Sequence, residues 1–262
     1  MKHVICEMGG KNGVIIDSDA DLDEALTGVL YSAFGFAGQK CSAASRVIVL
    51  DEIYDRFTER LIEAAKGLKV LPPEEADALV GPVIDKEAQE RILRAIENGK
   101  REAKLAFQGS TPAEGFFVPP TIFTDVKPDA WIAQNEIFGP VLAVIRAKNI
   151  DQAIEILNNT EYGLTGGIYS RSPANIEKAK AEINVGNVYI NRGITGAMVE
   201  RHPFGGFKMS GAGSKTGGPD YLKNFVEPRV VTENTLRRGF APAEDDTVEG
   251  AGVGAQPLTG GQ

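Results

Sequence analysis

The 262 residues are 42% hydrophobic and 24% charged, a globular composition long enough to bury a core without disulfides or metals as one large domain or two small ones. The formal net charge of −8 excludes a global pull towards nucleic acid or anionic membrane, so an anionic substrate would have to be held by local donors. Two cysteines and two histidines, Cys6, Cys41, His3 and His202, exclude a disulfide framework and a zinc-site spacing.

In chain order, "NGVIID" (12–17) predicts a short strand. "SDAD" follows as a helix start, with Asp19 as N-cap and acidic residues in the first turn. Leu22, Ala25, Leu26, Val29, Leu30, Ala33 and Phe34 recur at helical spacing and predict a buried helix over 21–36. "GQKCS" comes directly after it. "RVIVL" (46–50) predicts a strand, 52–67 an amphipathic helix ending at Gly67, and 86–98 another helix. "GFFVPPTIF" predicts strand and turn, "VLAVIRA" (141–147) a strand and "IDQAIEILNN" a helix. "TGGIYS" predicts a strand, "PANIEKAKAEI" a helix with Pro173 near its start, and "GNVYIN" (186–191) a strand. Strands alternating with helices of this length imply an α/β fold with a mostly parallel twisted sheet flanked by helices. No internal repeat is present. From about Gly239 the chain is rich in Gly, Ala and acidic residues with few apolar anchors, which predicts a disordered tail over 239–262.

Free thiols in an acidic chain suggest a reducing cytoplasm. No apolar run approaches the roughly 20 residues that span a bilayer, and "MKHVICEMGG" has no signal-peptide core. The expectation is a cytoplasmic protein with no membrane and no nucleic-acid partner.

Four stretches hold the chemistry: "CEMGGKN" (6–12), "GQKCSAASR" (38–46), "NEIFGP" (135–140) and "TGAMVERHPFGGFKMSG" (195–211). Taken singly each has a bland reading. A lone cysteine such as Cys41 is either a small core hydrophobe or a nucleophile. Lys11 reads as a solvated charge, Arg201 and His202 as a surface turn, Ser42 as a helix cap and 195–198 as a turn.

In order and at their spacing, with 34 residues from Glu7 to Cys41 and 95 from Cys41 to Glu136, the four resemble the catalytic half of the aldehyde dehydrogenase superfamily, from Val4 to about Gly239. The finer stretches "GPVIDKEAQERI", "ITGAMVERHPFGGFKMSGAGSKTGGPDYL" and "EPRVVTENTLRRGFAP" resemble its 1-pyrroline-5-carboxylate dehydrogenase branch. The resemblance implies an aldehyde dehydrogenase catalytic domain over 1–227 and an oligomerisation strand over 228–238. It implies that Cys41 attacks the aldehyde and forms a thiohemiacetal, that hydride leaves for NAD to give a thioester, and that Glu7 activates the hydrolytic water. Glu136 and Phe138 would hold the nicotinamide ribose and ring. Ser42, Gly196 and Ala197 would hold the carboxylate of L-glutamate γ-semialdehyde, with another small aldehyde such as succinate semialdehyde as the alternative. A glutamate at position 7 favours hydrolysis over transfer to coenzyme A.

The resemblance also implies a dinucleotide-binding region ahead of Glu7 that holds most of the NAD contacts. The expected partners are therefore a homo-oligomer or a complementing N-terminal half, and the isolated chain is expected to bind NAD weakly and to turn over little. A non-catalytic assembly module is the competing class, and residual esterase activity from Cys41 and Glu7 a third.

Overall fold

The structure is a computed structural model that describes residues 2–235. The chain divides into two units, Met1–Val226 and Glu227–Gln262. In the second unit, residues 227–235 belong to no helix or strand; the expected tail over 239–262 lies outside the described residues, as does the end of the expected oligomerisation strand.

The first unit runs β1 (Cys6–Glu7), β2 (Asn12–Ile16), α1 (Leu22–Phe34), β3 (Ala44–Leu50), α2 (Tyr54–Ala65), α3 (Lys86–Glu102), β4 (Lys104–Gln108), β5 (Thr121–Thr124), α4 (Trp131–Gln134), β6 (Val141–Ala147), α5 (Ile150–Asn158), β7 (Tyr162–Gly163), β8 (Thr165–Tyr169), α6 (Pro173–Glu182), β9 (Asn187–Ile190), β10 (Phe207–Lys208) and β11 (Gly211–Ala212). Seven strands form one sheet in the order β4-β5-β6-β3-β2-β8-β9. Every pairing in it is parallel except β4 with β5. The α/β expectation therefore holds.

The central strands are largely apolar runs rather than alternating ones, and every residue of β2 and β8 is buried, as a sheet covered on both faces requires. α1 packs with α2 and α5 with α6, each pair lying against the central strands. Gly166 lets α5 lie close on β8: a side chain there would meet Leu157 at 3.3 Å.

A guanidinium sits inside this largely apolar layer. Arg46, on β3, is 1% exposed. Its Nε donates to the Lys11 carbonyl at 3.0 Å, and its two terminal nitrogens donate to the Ile156 and Leu157 carbonyls at 2.8 and 2.9 Å. The last turn of a helix leaves its carbonyls without partners. The guanidinium supplies donors there and adds a cation at the negative end of the α5 dipole.

The predicted elements are recovered with shifted ends, and three departures have physical causes. The N-cap of α1 is Asp21, whose carboxylate accepts from the Asp23 and Glu24 N–H groups. Asp19 instead accepts from the Ser170 hydroxyl and the Arg171 N–H, so it braces the end of β8 and cannot cap. α3 continues to Glu102. The edge strand β4 has no counterpart in the sequence reading, because as an edge it is largely exposed and lacks the apolar pattern of a strand.

Replacing Arg46 by Met leaves three buried carbonyls without donors. The expected cost is roughly 3–5 kcal/mol, read as a lowered urea midpoint with an unchanged slope; a loss below 1 kcal/mol would mean that water replaces the guanidinium.

Candidate active site

β6, β3 and β2 are neighbours and parallel, so the segments that enter them meet at one end of the sheet. Those segments are 135–140, 38–43 and 6–11, three of the four stretches singled out by sequence. The site thus gathers at the amino ends of the strands, unlike the usual carboxyl-end crevice of open α/β sheets.

After α1 the chain turns sharply. Phe36, Ala37 and Gly38 have φ of 58°, 53° and 67°, a left-handed run that costs non-glycine residues about 1–2 kcal/mol each. Gly38 admits no side chain, because a Cβ there would collide with the Gly139 carbonyl. This contact seats the Cys41 turn against the entry to β6. A tight turn then closes from the Ala43 N–H to the Lys40 carbonyl at 2.9 Å, with the half-buried Cys41 on it.

Asn12, 3% exposed, fixes that turn. Its amide nitrogen donates to the Cys41 and Ala43 carbonyls at 2.7 and 2.8 Å, and its amide oxygen accepts from the Thr165 N–H at 3.0 Å. The buried Ser42 caps no helix; its carbonyl accepts from the Thr165 hydroxyl at 3.3 Å. Gly10 permits the approach, since a Cβ there would lie 2.6 Å from the Cys41 carbonyl.

Glu136 reaches the same place from the segment that enters β6. One of its carboxylate oxygens accepts from the Gly10 N–H at 3.0 Å, and a side chain on Gly9 would collide with the other. Burial raises the Glu136 pKa, against the Gly10 N–H and the positive charges of Lys11 and Arg91. Phe138 follows at φ 55°, with its ring 40% exposed.

Burial also pushes the Cys41 thiol up, and the negative charge of Glu7 adds to it; the Ser42 N–H pulls down, Glu136 pushes up again, and Cys41's own N–H pulls down. Both carboxylates therefore act electrostatically on the thiol, which rests protonated. Glu7 itself is exposed on β1, and the Thr216 hydroxyl donates to its Oε1 at 2.7 Å.

Lys11 is not a solvated charge. It is 2% exposed, and its Nζ has no hydrogen-bond partner among the described residues. Burial, helped by the Arg46 cation and opposed by Glu136, lowers its pKa from 10.5 to about 7.

The fourth stretch arrives from β9. The chain doubles back along α1, where the Ile194 N–H donates to the Ser32 hydroxyl at 3.1 Å, towards the end of α1 from which the Cys41 turn emerges. Gly196 is exposed at φ +82° with open space about it, and the Thr195 hydroxyl is buried without a partner among the described residues. The turn expected at Arg201 and His202 is present: the Met198 N–H donates to His202 Nδ1 and the His202 N–H to the Met198 carbonyl. Among the described residues no cluster of three or more His, Cys, Asp or Glu could hold a metal ion, and no helix is long and apolar enough to cross a membrane.

Asn12, Arg46 and Thr216 escaped the sequence reading. Arg46 and Asn12 carried a signal, since a cation or carboxamide inside an all-apolar strand must be bonded. Thr216 carried none.

The family model described as "Aldehyde dehydrogenase family" matches residues 1–231. The 1-pyrroline-5-carboxylate dehydrogenase of Geobacillus sp. (strain WCH70) is 52% identical over 234 residues, covering 89% of this chain and 45% of that protein. 1-Pyrroline-5-carboxylate dehydrogenase 2 of Bacillus subtilis (strain 168) is 49% identical with the same coverage. Among solved structures, proline utilization A from Bdellovibrio bacteriovorus superposes with a TM-score of 0.88 at 70% identity, over 92% of this chain and 25% of that one. A 1-pyrroline-5-carboxylate dehydrogenase from Thermus with bound NAD superposes with a TM-score of 0.82 at 50% identity, over 85% and 43%. The chain spans about half the length of the curated relatives it matches.

Two outcomes follow from the electrostatics. Alkylation of Cys41 by iodoacetamide, resolved from Cys6 by peptide mass spectrometry, should be slow at neutral pH and climb as the solution becomes alkaline. Glu7→Gln should speed it about two- to five-fold at pH 8 by removing a neighbouring negative charge; an unchanged rate would show that the charge does not reach the thiol. For Lys11, the unfolded chain binds a proton below its ordinary pKa of 10.5 and the folded chain only below about 7. Stability should therefore rise with pH across that window by up to ~1.4 kcal/mol per unit, and Lys11→Met should flatten the rise. Equal slopes in the two proteins would show the ammonium to be solvated.

Proposed function

The chain belongs to the aldehyde dehydrogenase family, and we propose that it carries the catalytic portion of an NAD-dependent oxidation of L-glutamate γ-semialdehyde to L-glutamate in proline catabolism. The observation that most supports this is the convergence of Cys41, Glu7 and Glu136, in which both carboxylate charges act on one half-buried thiol. The half-identity to 1-pyrroline-5-carboxylate dehydrogenases over 89% of the chain supports the substrate.

The residues present suit NAD. Glu136 has one oxygen held by Gly10 and the other without a hydrogen-bond donor among the described residues, as an acceptor for a ribose diol needs, and the open ring of Phe138 offers an apolar face. These two would hold the nicotinamide end. When bound, NAD supplies the hydride acceptor that turns the Cys41 adduct from thiohemiacetal to thioester.

The chain's own groups do the rest. Cys41 Sγ loses its proton to a neighbouring carboxylate and bonds to the aldehyde carbon; the N–H groups of Cys41 and Ser42, which already favour the thiolate, suit the oxygen that becomes negative. In the second half, Glu7 takes a proton from water as its oxygen attacks the thioester carbon. The C–S bond breaks, and Cys41 leaves as a thiolate, a good leaving group that is restored for the next cycle. Ser42 with the backbone at Gly196 and Ala197 would hold the far carboxylate by neutral donors, and the open left-handed Gly196 supports a close approach. We assign 228–238 to pairing with a second copy, and the two free thiols to a reducing cytoplasm.

The test is NADH formation by this chain joined to, or complemented by, a dinucleotide-binding half. Alone, the 262 residues should bind NAD weakly, because no glycine-rich phosphate loop links strand to helix among the described residues. Cys41→Ala should abolish turnover. Glu7→Gln should give one burst of NADH and then a rate lower by roughly 100-fold or more. Glutamate semialdehyde should exceed propanal and succinate semialdehyde by at least about 10-fold in kcat/KM; equal rates would sink the carboxylate anchor.

A further inference from the structure

We propose that Thr216 is the positioning residue for Glu7: its hydroxyl anchors one carboxylate oxygen and leaves the other free to take a proton. The proposal rests on the reading of Glu7 as the base for water. A general base works only when held within reach of its proton, and such bases are commonly oriented by a third group. Glu7 needs one, because it stands exposed on a two-residue strand where packing does not fix its side chain.

The structure supplies that group from a braced stretch. The Thr216 hydroxyl donates to Glu7 Oε1 at 2.7 Å, the length of a charge-assisted bond, and among the described residues the hydroxyl has no other partner and Oε2 accepts no hydrogen bond. Thr216 is itself locked by a reciprocal backbone pair with Phe204, both bonds 2.8 Å. The Lys215 ammonium clamps the neighbouring backbone, donating to the Gly186 and Gly205 carbonyls at 2.6 and 3.1 Å. The backbone of Glu7 pairs with Gly211 of the same stretch, and the Met8 N–H donates to the Ser210 carbonyl at 3.0 Å. Main chain and side chain of Glu7 are thus both tied to residues 204–216, around a cleft of about 300 Å³ that includes Cys6, Glu7, Gly205 and Lys215. Threonine suits the task, since its branched side chain has few χ1 states.

The experiment is a double-mutant cycle on the 262-residue chain, with the rate of Cys41 alkylation by iodoacetamide followed across pH. Thr216→Val keeps the shape and removes the donor; it should let the carboxylate wander and carry the rate at least half of the way to that of Glu7→Gln. Thr216→Ser should restore the wild-type profile. In the Glu7→Gln background, Thr216→Val should change nothing. An unfolding midpoint equal to wild type shows that Thr216→Val still folds. A Thr216→Val rate equal to wild type, an equal acceleration in the Glu7→Gln background, or a Glu7→Gln rate equal to wild type would each overturn the proposal. The base assignment is judged separately by the NADH burst: full steady turnover of the Glu7→Gln enzyme removes that assignment whatever the alkylation rates show.

Discussion

The carboxamide of Asn12 holds the site together. Two carbonyls of the Cys41 turn and the first N–H of β8 have no strand partner where they lie, and burial without partners would cost each of them about 1–3 kcal/mol. Asn12 satisfies all three with one side chain. No other small residue has a donor pair and an acceptor in that fork. The consequence is geometric as well as energetic, because the turn that carries the thiol becomes an extension of the sheet rather than a loop above it. Arg46 does the same work one layer deeper, tying the start of β2 to the last turn of α5. A rigid frame of this kind lets a short turn hold the half-buried Cys41 sulfur in place.

Steric emptiness completes the frame. Gly9 and Gly10 leave room for the Glu136 carboxylate and the Cys41 carbonyl, and Gly38 leaves room for the Gly139 carbonyl. In each case backbone meets backbone or carboxylate at a distance that no β-carbon allows. The left-handed turn at Phe36 and Ala37 follows from this: α1 must end and reverse within three residues to bring Cys41 to the amino end of β3. The strain sits beside the site because the surrounding contacts over-determine it.

How much of this was legible varies by scale. Apolar runs of five to seven residues, separated by amphipathic helices, identify a covered parallel sheet from sequence alone, since burial on both faces leaves no other pattern. The motifs around Glu7, Cys41 and Glu136 were visible for the same reason that they meet, as each is the glycine-bearing entry to a central strand. What failed depended on partners distant in sequence. Asp19 reads as a cap until Ser170 and Arg171 occupy its carboxylate. Lys11 reads as a surface charge because lysine usually is one; only packing shows that Arg46 and the strand entry close over it. The grip of Thr216 on Glu7 spans 209 positions and leaves no local trace.

The charges then form a chain from core to site. Burial, with the buried Arg46 cation adding to it, disfavours the charged form of Lys11, so near neutral pH the lysine is only partly protonated. A half-charged Lys11 cannot fully offset Glu136, whose carboxylate leans on the Gly10 N–H instead. Burial first, with Glu7 and then Glu136 adding to it, holds the Cys41 thiol in its protonated form. The thiol is thus held back from the thiolate form on which alkylation and oxidation act. In the proposed reaction the thiol needs a proton acceptor at the moment of attack, and the two carboxylates that disfavour the thiolate are groups able to take that proton. Suppression of the thiolate and, in the proposed reaction, its formation are two consequences of one arrangement of charge.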